Sequence, residues 1–203
     1  DELHVITTHP NRYANHRAEV EDVEVDGRVT IHRIAVPGHQ SGMISQMRTF
    51  AVFAFSAFRL CKKLKPDFLI GTTSRLMTGI LTSLSARFQQ RNYYIDLRDI
   101  FSETISDLLT RRSRLLGLAI KPFFTFLEKQ VFNGASGVNI VSKGFTEYFQ
   151  AEGIDTSNWS FFPNGVDQEF LDFPPVSNST NDRIKTILYA GNIGSGQGLE
   201  TVI

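Results

Sequence analysis

Cysteine is nearly absent from this chain, because Cys61 is the single one among 203 residues. An internal disulfide is therefore excluded, and the composition favours a reducing, cytosolic compartment. Cys61 lies within an apolar helical pattern and has no histidine close to it in the sequence. We therefore predict a thiol in the core rather than a nucleophile.

Net charge and long apolar runs are absent as well. The 21 Lys and Arg residues balance 21 Asp and Glu residues, which argues against a dedicated nucleic-acid binder, a class that is normally strongly basic. The longest apolar stretch, Phe50 to Phe58, is shorter than the roughly 20 residues that span a bilayer. No signal peptide is evident, and the chain opens at Asp1 without a methionine, so we expect a portion of a longer protein.

Apolar residues make up 41% of the chain, including 17 Phe, which is ample for a core. Short runs rich in Val, Ile, Tyr or Phe indicate strands, and several are apolar throughout, as in a parallel sheet covered on both faces. Asp26-Gly27, in the middle of Val20 to Val36, predicts a hairpin. The predicted strands are Leu3–Thr7, Val29–Val36, Phe68–Gly71, Tyr93–Leu97, Val138–Val141 and Ser160–Phe162.

Helical spacing of apolar residues fills the segments between the strands. We expect Pro66 to end the first helix, Pro122 to kink or restart the third, Ser142 to cap the fourth and Gly153 to close it. The predicted helices are Gln46–Lys65, Leu76–Phe88, Ser113–Phe132 and one from Ser142 to about Ala151. This alternation predicts an α/β fold with a Rossmann-like, doubly wound parallel sheet.

A linker is predicted at 172–183, where the sequence DFPPVSNSTNDR is rich in Pro, Ser, Thr and Asn. Residues 1–171 then form one domain. A second Rossmann-like domain starts within 184–203, with a strand from Ile184 to Ala190, a glycine-rich turn and a helix start. We expect that second domain to be truncated, so that this portion alone is inactive.

The glycine-rich turn GNIGSGQG, Gly191 to Gly198, carries the strongest local signal. Glycines let a backbone approach a ligand closely, and the free N–H groups of a following helix N-terminus suit phosphate. The spacing matches neither the G-x-G-x-x-G fingerprint nor a P-loop. An ordinary glycine-rich strand-to-helix turn stays an alternative.

Two further motifs carry polar side chains. Asp96, Arg98 and Asp99 stand at the end of a predicted strand, where open α/β sheets bind ligands. They could orient a substrate hydroxyl or serve as acid and base, and a plain ion pair is the alternative. The segment FPNGVD at 162–167 is a turn former that directly precedes the linker.

The five histidines show no metal-ligand spacing, so we predict no metal site. His9 ends the first strand on the ligand side of the sheet and is a candidate substrate contact. We interpret His4 and His32 as strand residues without a chemical role.

Basic and apolar residues mix in the stretch 111–132 and on the outer face of the first helix. Such a mixture suits an anionic membrane surface, and packed amphipathic helices with solvated charges are the alternative. The outer-face residues of the first helix are Arg48, Val52, Phe55, Arg59 and Lys62.

In their order along the chain, these motifs resemble group 1 glycosyltransferases (glycosyltransferase family 4, GT-B type). The resemblance is to the branch that adds amino sugars to bacterial surface polysaccharides, such as lipopolysaccharide or capsule. It rests on DLRD at 96–99, FLEKQVFNGASGVNIVSKGFTEYF at 126–149, FPNGVD at 162–167 and YAGNIGSGQGLETVI at 189–203. From the first to the last, these segments extend over residues 96–203, about half of the chain.

The resemblance implies two Rossmann-like domains facing across a cleft, the first binding a saccharide acceptor and the second a nucleotide-sugar donor. It implies a retaining reaction without a metal or other cofactor, and a protein at the inner face of the cell membrane. The acceptor candidates are His9, Asp96, Arg98 and Asp99, of which Asp96 and Asp99 are also the catalytic candidates. The donor candidates are Asn164, Gly165, Gly191, Asn192, Gly194, Gln197 and Gly198.

The chain departs from the wider family where it has Asn192 and Gln197 in place of an arginine and a lysine that contact the diphosphate. The family's paired glutamates are expected beyond Ile203, and its first strand before Asp1. Two other functions stay open, a nucleotide-sugar epimerase of the same fold and a non-catalytic, membrane-associated binding module.

Overall fold

The structure is a computed structural model that describes residues 2–10, 20–37, 43–73, 76–100, 114–172, 188–191 and 199–201. The strands among them are β1 (Leu3–Thr8), β2 (Val23–Asp26), β3 (Val29–Ile34), β4 (Phe68–Thr73), β5 (Asn92–Leu97), β6 (Gly137–Ile140) and β7 (Trp159–Phe161). The helices are α1 (Met43–Leu64), α2 (Leu76–Gln89), α3 (Arg114–Phe132), α4 (Gly144–Ala151) and α5 (Gln168–Leu171), followed by a short 3-10 turn at Leu199–Thr201.

Two sheets are formed by these strands. One has the order β1-β3-β2, and the other is a parallel sheet of order β4-β5-β6-β7. The first contains the predicted hairpin: β2 and β3 pair antiparallel, and Gly27 has φ +58° at the turn between them, a conformation that glycine adopts without strain. β1 pairs parallel with β3.

The four-stranded sheet is wound by helices as predicted, and the α/β, Rossmann-like fold class is confirmed. Its core forms where β5 and β6 meet α3 and α4, because every second residue of these two strands is apolar and buried, and these residues share one face of the sheet. Phe132, Phe149 and Trp159 pack there with ring centroids 5.0–5.5 Å apart. α2 approaches β4 closely because its buried face includes the small residues Thr82 and Ser85.

The coverage of the sheets differs from the prediction of a single sheet buried on both faces. Within the described part of the chain, β1 and β4 are edge strands of separate sheets. Leu3 of β1, and Phe68 and Ile70 of β4, are exposed. Among the described strands, β6 alone is buried along its whole length, whereas buried residues alternate with less buried ones in β5.

Three local predictions are corrected by the backbone. α3 runs through Pro122 as one helix, so no new segment starts there, and the alternative, a kink at Pro122, stays a prediction. The residue that caps α4 is Lys143 rather than Ser142, and it makes no side-chain capping bond. Residues 188–190 are not in a strand, and the rest of the strand predicted at 184–190 lies outside the described residues. Gly153, with φ +75°, does follow the end of α4 as predicted.

Candidate functional site

Asp96 and Asn139 bring the ends of two neighbouring strands together. They are register partners in the parallel pair β5–β6, so their side chains start about 5 Å apart. The side-chain amide of Asn139 donates to Oδ1 of Asp96 at 2.7 Å. Asn139 is 7% exposed, and this bond holds one oxygen of the carboxylate at the edge of the core.

Arg98 hydrogen-bonds the other carboxylate oxygen of Asp96. Its Nε donates to Oδ2 at 2.8 Å, and its guanidinium also donates to the side-chain oxygen of Asn164. Arg98 and Asn164 are 66 positions apart in the chain. Two of the motifs singled out in the sequence are therefore joined directly at the carboxyl edge of the sheet, where open α/β sheets bind ligands.

Asn139 also ties the segment after β7 to this group. Its side-chain oxygen accepts from the backbone N–H of Phe162 at 2.8 Å, and its amide lies 3.4 Å from the carbonyl oxygen of Phe162. Because Phe162 opens the segment that carries Asn164, one buried amide sets the position of Asp96 and of the turn together.

The resulting group, Asp96, Arg98, Asn139 and Asn164, is named here the carboxyl-edge cluster. Arg98 is about half exposed, while Asp96 is mostly covered. The guanidinium has five N–H donors, of which two are used in these bonds. A donor-rich, exposed cation above a fixed carboxylate can hydrogen-bond the hydroxyl groups of a saccharide.

Asp99, next to Arg98 in the chain, lines a small cavity. The cavity is lined by Asp99 and Glu128 together with apolar groups of α2, α3 and β5. Glu128 is 2% exposed, so a second carboxylate is buried close to the edge of the sheet. Asp96 is not among the residues that line this cavity.

His9 follows a strand of a different sheet from the one that carries the carboxyl-edge cluster. It follows β1 in the three-stranded sheet, and its Nε2 is 2.8 Å from Oδ1 of Asp22. His4 and His32 contact each other, with Nδ1 and Nε2 3.1 Å apart. Burial lowers the pKa of His32, and the neighbouring His4 and Lys63 lower it further.

Of the predicted donor contacts, Asn164, Gly165 and Gly191 are described and exposed. A Cβ added at Gly165 would meet nothing within 4 Å. The other four predicted contacts, Asn192, Gly194, Gln197 and Gly198, lie outside the described residues, as does the predicted linker at 173–183.

Sequence reasoning missed Asn139 and Glu128. The sequence analysis gave neither residue a role: Asn139 lies in the strand predicted at Val138–Val141, and Glu128 in the helix predicted at Ser113–Phe132. The available signal was a single polar residue inside an otherwise apolar run, since a buried polar side chain usually has a specific partner.

The remaining predictions concern cysteine, metals and membranes. Cys61 is buried as expected. Burial raises the pKa of its thiol, and the hydrogen bond from Gln89 offsets part of that rise. Across the described residues, no group of three or more His, Cys, Asp or Glu side chains is arranged to hold a metal ion. None of the helices in that same part of the chain is long and apolar enough to cross a membrane.

Comparison with known proteins gives two matches. The sequence profile of the glycosyl transferase 4-like domain matches residues 1–165. A protein of Escherichia coli (strain K12), provisionally named colanic acid biosynthesis glycosyl transferase WcaI, is 26% identical over 193 residues. The match covers 88% of this chain and 46% of that relative, so the chain spans less than half of the relative's length.

Proposed function

We propose, since the chain belongs to the glycosyl transferase 4-like family, that the whole protein moves a sugar from a nucleotide-sugar donor to a saccharide acceptor. The observation that carries the proposal is the carboxyl-edge cluster, in which a fixed carboxylate and an exposed guanidinium meet Asn164. The name of the relative refers to colanic acid biosynthesis, which supports an acceptor in surface polysaccharide synthesis.

On the acceptor side, the proposal assigns Asp96 and Arg98 to hydroxyl groups of the incoming saccharide. Asp99 extends this surface toward the small cavity that it lines. His9 is also assigned to the acceptor, because it follows the end of β1. This strand belongs to a different sheet from the cluster. Asp96 and Asp99 are the catalytic candidates.

On the donor side, the proposal assigns Asn164 of the cluster and the neighbouring Gly165 to the donor, and the turn at 191–198 to its diphosphate. Backbone N–H groups of a glycine-rich turn before a helix suit a phosphate, and Gly191, Asn192, Gly194, Gln197 and Gly198 form that turn. The bond from Arg98 to Asn164 then links the acceptor side to the donor side. The proposal includes no metal or other cofactor.

The reaction we propose is retaining. The bond from the sugar C1 to the diphosphate oxygen breaks, a bond from C1 to the acceptor oxygen forms on the same face, and the acceptor proton passes to the departing diphosphate. Protein dipoles and cations would stabilise the departing charge. Because the leaving group takes the proton, no general base is assigned.

The proposed location is the inner face of the cell membrane, with the protein bound peripherally and the acceptor a polysaccharide or a lipid-linked saccharide of lipopolysaccharide or capsule. The mixed basic and apolar surface of α1 supports this location.

The first experiment is a donor screen on the full-length protein. Thermal unfolding is followed with a panel of nucleotides and nucleotide sugars, because a ligand bound only by the folded state stabilises it by about 2.7 kcal/mol at a hundredfold excess over its dissociation constant. One nucleotide should raise the Tm, and Gly194→Val or Gly198→Val should abolish the shift. If the folded protein responds to no nucleotide, the donor-site assignment is wrong and a non-catalytic binding module is favoured.

The acceptor side is tested with Arg98→Gln in a sugar-transfer assay that uses the identified donor. Loss of hydrogen bonds to a charged group predicts a fall in kcat/KM of about 10- to 100-fold. Arg91→Gln is the matched control, because Arg91 is as exposed as Arg98 and also pairs with an aspartate, Asp67, at 3.6 Å. Equal losses in the two variants would contradict the assignment, and conversion of the donor without an acceptor would indicate an epimerase.

A further inference from the structure

Charge is distributed unevenly over the chain, and helices α1 and α2 are its most one-sided part. The chain as a whole is balanced, yet these two helices carry five cations and no carboxylate. The cations are Arg48, Arg59, Lys62, Lys63 and Arg87. The two helices therefore present a positive surface on a neutral chain.

Three of the four cations of α1 share one exposed stripe with apolar side chains. Residues spaced by three and four positions lie on the same side of a helix, and five such residues are exposed here. Phe55, in the middle, is 65% exposed. This set, named the α1 stripe, consists of Arg48, Val52, Phe55, Arg59 and Lys62.

Helix α2 extends the stripe with further exposed apolar groups. Phe88 is 57% exposed and Leu84 is 55% exposed. Phe88 lies next to α1, because its ring packs against Phe58 with centroids 5.3 Å apart. The α1 stripe together with Leu84 and Phe88 is named the α1–α2 face.

Cations and aromatic rings are paired within this face. The guanidinium carbon of Arg59 lies 5.5 Å from the ring centroid of Phe55, and Nζ of Lys62 lies 5.1 Å from that of Phe88. Each pair brings a positive group and an apolar group to the same level of the surface. An anionic lipid surface suits such pairs, because its headgroups attract the cations and its acyl chains accept the apolar rings.

We propose that the α1–α2 face docks on an anionic phospholipid surface, with the Phe55 and Phe88 rings inserted among the headgroups and the cations above them. The inference deepens the proposed membrane location, on which it rests, by naming the surface and the lipid chemistry. The helices would lie in the interface, since no helix of the described residues is able to cross the bilayer.

Charge complementarity favours lipid over a second copy of the chain. A two-fold symmetric pairing places the same patch against itself, so the cations of one α1 stripe would face those of the other. Like charges across an interface oppose association. Anionic headgroups instead neutralise every cation of the face.

Vesicle binding by the full-length protein tests the proposal. Sedimentation with phosphatidylcholine vesicles is compared with sedimentation after phosphatidylglycerol is added to the lipid. We expect binding only to the anionic vesicles, weakening as salt is raised. The double variant Arg59→Gln, Lys62→Gln should bind about 25-fold more weakly, because each cation near such a surface contributes about a fivefold factor. Phe55→Ser should cost at least about tenfold.

Matched controls on another surface are Lys143→Gln and Phe170→Ser. Lys143 also lies over an aromatic ring, that of Phe161 at 5.3 Å, and Phe170 is exposed to a similar extent as Phe55. Both should bind vesicles like the wild type. Equal binding to neutral and anionic vesicles, or equal losses in the control variants, would overturn the proposal.

Two further outcomes separate this proposal from its rivals. If the wild type forms a dimer that Phe55→Ser dissociates, without lipid binding in either, the face joins two copies and the proposal is wrong. The nucleotide-induced Tm shift should be unchanged in Phe55→Ser, because Phe55 lies in the predicted first domain, whereas the donor is assigned to the predicted second domain. A failed donor screen with intact lipid binding would therefore reject the transferase function alone.

Discussion

The side chain of Asn139 forms hydrogen bonds with groups from two different segments of the chain. Its amide N–H serves the carboxylate of Asp96, and its carbonyl oxygen serves the backbone N–H of Phe162. Asparagine suits this position because it carries donors and an acceptor on one short planar group. An aspartate there would set a second carboxylate against Asp96.

Asn139→Leu keeps the volume of the side chain and removes its hydrogen bonds. We expect the free energy of unfolding to fall by about 1–3 kcal/mol, because an oxygen of Asp96 and, in part, the amide of Phe162 lose partners. Urea unfolding followed by circular dichroism measures the change. Asn158→Leu is the control, since Asn158 is exposed, and a loss there as large as at Asn139 would count against a specific role.

At the scale of single elements, the contact between β4 and α2 depends on the absence of a side chain. A Cβ added at Gly71 would lie 3.0 Å from Cβ of Thr82 and closer still to its hydroxyl oxygen. Thr82 is buried, and its hydroxyl donates to the carbonyl of Thr78 at 3.0 Å. The helix can approach the strand only because residue 71 is glycine.

Gly71→Ala should therefore destabilise the protein by about 1–3 kcal/mol through overpacking. Thr82→Ala, placed in the same chain, should recover part of that loss because it removes the atoms that clash. Gly165→Ala is the control and should change stability little, since its added methyl meets nothing within 4 Å. Additive effects of the Gly71 and Thr82 substitutions in a double-mutant cycle would contradict this contact.

At the scale of the whole molecule, apolar burial is concentrated on one side of the four-stranded sheet. Phe149 is fully buried between Phe132 and Trp159, whereas many other phenylalanines, Phe55 among them, remain exposed. Within the described part of the chain, the phenylalanines therefore divide between a core and an exposed surface.

Phe149→Ala should lower the free energy of unfolding by about 3–5 kcal/mol, the usual cost of a large cavity in a core. Phe55→Ala should change it by no more than about 0.5 kcal/mol, as expected for an exposed position. Thermal and urea unfolding of both variants measure the contrast. A large loss of stability in Phe55→Ala would mean that other parts of the protein cover the α1–α2 face.

Local pattern predicted the elements well, because the period of apolar residues depends on neighbours only a few positions apart. Apart from the last strand, at 184–190, every predicted strand and helix has a counterpart within a few residues, and Asp26-Gly27 makes the expected hairpin. The same reasoning placed Asp96 and Arg98 at a strand end, although it misjudged the cap at Ser142, where neighbouring backbone geometry decides the outcome.

Pairing between distant segments was decided by the tertiary structure alone. The contact of Arg98 with Asn164, the burial of Asn139 and Glu128, and the division into two sheets depend on which strands lie side by side and in which register. Those choices follow from the combined packing of many residues far apart in the chain, which no local period encodes. The amino-acid sequence therefore predicts the strands and helices. The carboxyl-edge cluster could be identified only from the assembled sheet.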